Sequence, residues 1–317
     1  MSVLAPVDVL YGGPGREAPV SRKSGAAILQ ALRDADVDAV GVDCDQRCDC
    51  AALRPGSVVF NIIHGTYGED GTLQAELDAA GRVYIGSDAA ASRLCMDKAR
   101  TKAVAAEAGV PVAWGKVIDP RQAVDPGLLR VPHGGPLVIK PVADGSSVGL
   151  RLLPSVSFLL PAIEELLVEI GPVPLLVEER LPGPEFTVTV LDDEAGAPQA
   201  LPPLCILPAG ESYDYQAKYE RSDTAYTAVD DQARSDALRQ AALTVYRACG
   251  CRDFARIDFI ARADGVCCLM EVNTLPGFTD HSLVPKSAAL VGLDFGELCR
   301  RLIARAACRL SEDHPHA

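Results

Sequence analysis

The sequence predicts a chain with α/β and α+β parts: a parallel sheet with helices on its faces comes first, and a smaller α+β part and further strands follow. Three observations predict this. Up to residue 85, short apolar runs alternate with helical patterns, which is the rhythm of βαβ units. Beyond Gly109 and Pro111 strand patterns dominate, with one helix among them before residue 180. The chain has 317 residues, 48% of them hydrophobic, enough for two or three cores and too apolar for general disorder.

The elements follow in order. An apolar run at 7–11 ends at Gly12-Gly13-Pro14-Gly15, and 24–32 carries a helical pattern. Residues 39–42 and 58–63 read as strands, 73–80 as a helix and 83–85 as a short strand. Ligands gather at the carboxyl ends of parallel strands, here 12–17 and 64–70. A helix at 97–108 is stopped by Gly109 and Pro111. Strands are expected at 112–118, 137–140, 148–153 and 175–178, with a helix at 157–170. Residues 186–191 and 201–206 also read as strands. The clearest helix is 230–249, whose Leu238, Ala241, Ala242, Val245, Tyr246 and Cys249 fall at helical spacing before Gly250. A hairpin of 254–261 and 266–272 turns at 262–265, and an amphipathic helix at 293–310 closes the chain.

Charge narrows the function classes. With 43 acidic against 30 basic residues the net charge is −13, so nucleic acid is not an expected partner. No apolar run approaches the ~20 residues that span a bilayer. The start, Met1-Ser2-Val3-Leu4-Ala5-Pro6, has no basic region before an apolar stretch, so a cytoplasmic location is the default expectation. The eleven cysteines read as ordinary thiols, and Cys267-Cys268 as core. Cys44, Cys48 and Cys50 lack the second ligand pair and the nearby His of a structural zinc site.

Chemistry concentrates in three places. In Arg256-Ile257-Asp258 and Glu271-Val272-Asn273, residues two apart share a strand face. Paired as a hairpin, these strands present two carboxylates, an amide oxygen and a guanidinium on one wall. Such hard oxygen donors suit Mg²⁺ that completes its shell with phosphate oxygens, although a solvated strand face fits the same residues. Second, Asp144-Gly145-Ser146-Ser147-Val148-Gly149 follows Lys140. A Gly/Ser loop offers amides and hydroxyls to phosphate, and its plainer reading is a hairpin turn. Only seven of the 30 basic residues are Lys, yet Lys98, Lys140 and Lys218 all fall in such segments, where a compact ammonium suits a phosphate. Third, 177–181 leads to Gly183-Pro184-Glu185-Phe186. Its extended backbone can bond an adenine edge, and a following carboxylate can take ribose hydroxyls; surface acids fit equally. Gly13-Pro14-Gly15-Arg16-Glu17-Ala18 mimics a dinucleotide fingerprint. Pro19 interrupts it, Ser21 reads as the cap of a later helix, and Glu17 would repel a pyrophosphate. Glu17 suits a ligand's ammonium group instead.

Taken in order, these motifs resemble the D-alanine–D-alanine ligase family of the ATP-grasp superfamily, from about residue 7 to 302. The resemblance rests on 17–21, His64-Gly65-Thr66-Tyr67-Gly68-Glu69-Asp70-Gly71, Met96-Asp97-Lys98, 145–149, 183–187, 213–219, Arg256-Ile257-Asp258, 271–279 and 281–285. It implies a three-domain ATP-grasp fold with spans 1–95, 96–182 and 183–317, and a mobile lid at about 212–227. It implies that Lys98 and Lys140 contact the α- and β-phosphates and Lys218 the γ-phosphate. Glu178, Glu179 and Leu181 would meet the adenine, and Glu185 the ribose. Asp258, Glu271 and Asn273 would hold two Mg²⁺, with Mn²⁺ a substitute. Arg256 and the Gly277 amide would stabilise an oxyanion. Glu17 would hold the first D-alanine's ammonium, with His64 near its carboxylate, and Ser146 and Tyr219 would bond Glu17. Ser282 and Leu283 would hold the second D-alanine's carboxylate. The implied protein is a homodimer serving peptidoglycan synthesis. Ala143, Gly15-Arg16 and Ala18-Pro19 depart from the usual runs and loosen the substrate assignment. A relative joining D-serine or a hydroxy acid second is the alternative, and the Lys218-Tyr219 pair favours an amino acid over a hydroxy acid there.

Overall fold

The structure, a computed structural model, describes residues 4–129, 131–145, 148–207 and 224–312. Its first sheet is parallel, in the order β2-β1-β3-β4, from β1 (Val7–Gly12), β2 (Ala39–Cys44), β3 (Val58–Asn61) and β4 (Val83–Tyr84). Helix α1 (Ala18–Asp34) crosses from β1 to β2, and α2 (Thr72–Ala79) from β3 to β4. Helix α1 begins earlier than its hydrophobic pattern suggests. Pro19 stands in its first turn, where a missing N–H costs nothing, so it does not interrupt the helix. Ser21 is therefore no cap. It is buried inside α1, where its Oγ donates to the Ile62 carbonyl (2.6 Å) and accepts from the Gly12 amide (2.9 Å).

Two helices follow where the sequence suggests one. Asp88 caps α3 (Ala89–Met96) by accepting from the Ala90 and Ala91 amides, and Asp97 caps α4 (Lys98–Glu107) by accepting from the Arg100 amide. The extended Asp97 (φ −83°, ψ 98°) separates the two and places Lys98 in the first turn of α4. The second sheet is antiparallel, in the order β5-β8-β6-β7, from β5 (Gly115–Ile118), β6 (Leu137–Pro141), β7 (Arg151–Leu153) and β8 (Leu175–Glu179). Helix α5 (Leu159–Ile170) covers it through Ile163 and Leu166.

The third sheet runs β12-β11-β9-β13-β14, with β10 on β9. Its strands are β9 (Glu185–Asp192), β10 (Pro198–Ala200), β11 (Leu204–Leu207), β12 (Ala225–Ala228), β13 (Phe254–Ala261) and β14 (Cys267–Asn273). Helix α6 (Gln232–Ala248) buries Leu238, Ala242 and Val245 against this sheet, and Ala105 of α4 joins the same core. Helices α7 (Leu283–Ala289) and α8 (Phe295–Glu312) end the described chain.

The cores tie the sheets together. Leu298, Leu302 and Ile303 of α8 pack in one cluster with Val7, Val9 and Phe60 of the first sheet and Phe254 of the third. Phe278, in the loop after β14, is fully buried there. Its ring lies 5.6 Å from Phe60, 5.6 Å from Phe254 and 5.5 Å from Phe295. These edge-on and tilted contacts fix the loop that carries Gly277. All eleven cysteines are free thiols.

Candidate active site

The oxygen-bearing wall forms as its alternation predicts. Strands β13 and β14 pair antiparallel with Arg256 opposite Asn273 and Asp258 opposite Glu271. All four side chains therefore share a face, while Ile257 and Val272 point into the core. The register shifts after Asp258, so Phe259 faces Leu269 and Met270 is the extra residue of a β-bulge. Bulges bend a strand and re-aim its side chains, here beside Glu271.

Asp258 is buried and heavily bonded. Arg256 grips it from Nε (3.0 Å to Oδ1) and Nη2 (2.8 Å to Oδ2). Thr187 Oγ1 donates to Oδ1 at 2.6 Å, and Asn273 Nδ2 to Oδ2 at 3.1 Å. Glu271 lies 3.7 Å from Lys98 Nζ, which also donates to the Asp144 carbonyl. Among the described residues no group of three or more His, Cys, Asp or Glu side chains could hold a metal. The described residues thus form no full protein cage, but two carboxylates and an amide oxygen on one face fit a Mg²⁺ shared with phosphate.

A cavity of about 170 Å³ opens between this wall and the second sheet. Lys98, Lys102, Lys140, Asp144, Gly145, Glu178, Glu179, Arg180, Leu181, Glu185 and Glu271 all line it. Glu178 projects from β8 and is 4% exposed. Lys140 Nζ reaches its Oε2 at 2.7 Å, and Lys102 bonds its Oε1. Burial opposes the Glu178 charge, but the two ammonium groups together hold its carboxyl below the ordinary 4.5. Burial first, and the Lys140 charge second, push Lys102 down to about 8 against the pull of Glu178.

A carboxyl whose folded pKa lies below its unfolded value stabilises the fold above the unfolded pKa, and that contribution is lost on acidification. The melting temperature is therefore expected to fall more steeply below pH 4.5 in the wild type than in Glu178→Gln. Parallel acid limbs in a pH series of thermal melts contradict this assignment.

Glu17 stands just before α1, without a side-chain cap bond to it. Its Oε2 would lie 2.7 Å from a Cβ at Gly65 and 3.5 Å from one at Gly145. A Cβ at Gly65 would crowd the carboxylate from this place, and the φ of +81° there favours glycine. Glu17 thus meets the start of the serine loop. His64 is 4% exposed and held on both sides. Its Nδ1 donates to the Leu275 carbonyl (3.2 Å), since a carbonyl can only accept, and its Nε2 shares a hydrogen bond with Ser24 Oγ (3.4 Å). Its Nδ1 also lies 3.4 Å from Glu69.

The remaining positions are placed as follows. Glu179 accepts from the Trp114 amide at 2.8 Å. Ser282 Oγ accepts from the Thr279 amide at 2.9 Å, would lie 3.5 Å from a Cβ at Gly277, and precedes α7. Leu283 is buried against Leu204 and Ile206. Ser146, Lys218 and Tyr219, and most of the expected lid, lie outside the described residues. From Ala225 the segment expected as the end of the lid is strand β12, paired with β11. Lys102 escapes a reading by motifs. The signal for it was its spacing: four residues after Lys98, it shares a face of α4.

A model described as "D-ala D-ala ligase C-terminus" matches residues 128–304. A D-alanine–D-alanine ligase from Actinobacillus pleuropneumoniae serotype 5b (strain L20) is 40% identical over 304 residues, covering 95% of this chain and 98% of its own length. Another from Stutzerimonas stutzeri (strain A1501) is 42% identical, covering 92% of this chain and 91% of its own. A D-alanine–D-alanine ligase from Bacillus anthracis, solved in complex with ATP, superposes with a TM-score of 0.84 at 27% identity, over 98% of this chain and 100% of that one. The VanG D-Ala:D-Ser ligase of Enterococcus faecalis superposes at 0.82 with 26% identity, over 95% and 99%. Identity at this level along nearly the whole length goes beyond a shared architecture, and the chain belongs to the D-alanine–D-alanine ligase family, with its ATP-grasp fold and parallel-sheet N-terminal part.

Proposed function

We propose that the chain joins two D-alanine molecules to D-alanyl-D-alanine at the expense of ATP, in the cytoplasm, for peptidoglycan precursor synthesis. One observation carries the reading. Asp258, Glu271 and Asn273 share a face beside a cavity lined by Lys98, Lys102 and Lys140. Oxygen donors on one side and ammonium groups around the cavity suit a triphosphate with its divalent ions.

Two Mg²⁺, or Mn²⁺ in their place, held by Asp258, Glu271 and Asn273 would neutralise charge developing on the transferred phosphoryl group. The chain's own residues do the rest. Lys98 and Lys140 take the α- and β-phosphates, and Lys218 the γ-phosphate. The backbone and carboxylates of 178–181 receive the adenine, and Glu185 the ribose. The first D-alanine's carboxylate attacks the γ-phosphate, giving an acyl phosphate and ADP. The second D-alanine's amine then attacks the acyl carbon and passes a proton to the Ser146–Tyr219–Glu17 link, and phosphate leaves with its bonding electrons. Glu17 holds the first ammonium, and Ser146 and Tyr219 link Glu17 to the closed site, with His64 behind the first carboxylate. Arg256 and the Gly277 amide hold the tetrahedral oxyanion, and Ser282 and Leu283 the second carboxylate. The lid at 212–227 keeps water from the acyl phosphate. Two copies form a homodimer, each divided at about residues 95 and 182.

The test is ATP-dependent phosphate release with D-alanine alone, and with D-alanine plus D-serine or D-lactate. Turnover with D-alanine alone, matched by dipeptide formation, is the expected result. Turnover only in a mixture overturns D-alanine as second substrate.

A further inference from the structure

Glu178 is buried and holds a lysine at each oxygen, Lys102 at one and Lys140 at the other. The proposed reaction, on which this inference rests, sends the Lys140 ammonium to the phosphates. Lys140 must then loosen its hold on Glu178. A buried carboxylate gives up a counter-ion only if another remains.

Lys102 is placed to be that counter-ion. It comes from α4, whose Ala105 packs in the core of the third sheet, and it reaches across to β8 of the second sheet. Its side chain is 9% exposed and lies within the cavity wall. It stands on the same helix face as Lys98, which faces Glu271 at 3.7 Å. The helix thus presents one lysine to the metal-side carboxylate and one to Glu178.

We propose that Lys102 is a positioning residue that neutralises Glu178 and thereby releases Lys140 to the nucleotide's phosphates. Without Lys102, Glu178 retains Lys140 as its one lysine partner in the cavity, and ATP must compete with a buried ion pair for it. The cost falls on ATP binding. It depends on the Glu178 charge, which neither a packing role nor a direct contact of Lys102 with ATP does.

A double-mutant cycle tests this on the full chain, with ATP-Mg²⁺ affinity read by calorimetry and KM and kcat by phosphate release. Lys102→Met is expected to weaken ATP binding about tenfold, with kcat and the KM for D-alanine changed less than about threefold. Lys102→Arg, which keeps the charge, is expected to stay within about threefold of wild type. In a Glu178→Gln background the same Lys102→Met change is expected to cost less than about twofold. A loss under about threefold in the single variant, or a loss that persists in the Glu178→Gln background, overturns the proposal. Lys102→Gln carries the same cycle should the methionine variant melt too low to assay. Calorimetry decides the matter even if D-alanine proves not to be the substrate, so the two readings fail separately.

Discussion

Glu271→Gln is expected to lower kcat by about 100-fold or more while the melting temperature stays within a few degrees of wild type. Glu271 is half-buried on the open face of β14, opposite Asp258. The amide keeps its shape and one acceptor oxygen but removes the charge that a divalent ion requires. Glu271 also stands 3.7 Å from Lys98, so the substitution unbalances the cation nearest the proposed phosphate site. Core side chains on either side, Leu269 and Val272, are untouched, and the hairpin should hold. Steady-state phosphate release with thermal melting on the same sample separates the two effects. A variant that keeps near-wild-type turnover removes Glu271 from the proposed metal site.

Arg309→Ala is expected to cost about 3–5 kcal/mol of unfolding free energy. Arg309, near the end of α8, grips Asp253 through two bonds, Nη1 to Oδ1 (2.8 Å) and Nη2 to Oδ2 (2.7 Å). The same Nη2 donates to the Tyr84 carbonyl of β4 at 2.7 Å. Asp253 is fully buried and sits at φ +62°, a backbone region that Asp tolerates better than most residues. Burial works against the Arg309 charge, and the Asp253 carboxylate more than restores it, raising the guanidinium's pKa. Removing Arg309 strands the carboxylate with amide donors such as Gly86 N–H (2.8 Å). Asp253 immediately precedes β13, so the loss loosens the strand that carries Arg256 and Asp258. Urea unfolding measures the cost, and Arg309→Ala combined with Asp253→Asn should recover part of it. A loss under about 1 kcal/mol would mean that water satisfies Asp253.

Much of this site is legible in the sequence because strand alternation has a short, rigid period. Arg256 and Asp258, like Glu271 and Asn273, need only the two-residue repeat to share a face, and the register confirms it. The bulge at Met270 is not legible, since it depends on how two strands close rather than on either one. Helix α3 escaped because its signal is a single cap, Asp88, on an eight-residue segment without a strong apolar stripe. The sequence pattern places the start of α1 too late because Pro19 reads as a breaker unless its place in the first turn is known. Lys102 belongs to none of the motifs. Its burial comes from Glu178, 76 residues further along the chain, and no local pattern reports that pairing.

The proposed grip of Asp258, Glu271 and Asn273 on divalent ions is tested most directly by anomalous scattering from a crystal grown with ATP and Mn²⁺. Two manganese peaks are expected within coordination reach of those three side chains, each also touching phosphate oxygens. Nucleotide density with manganese bound elsewhere, or with those side chains turned from the triphosphate, would contradict it.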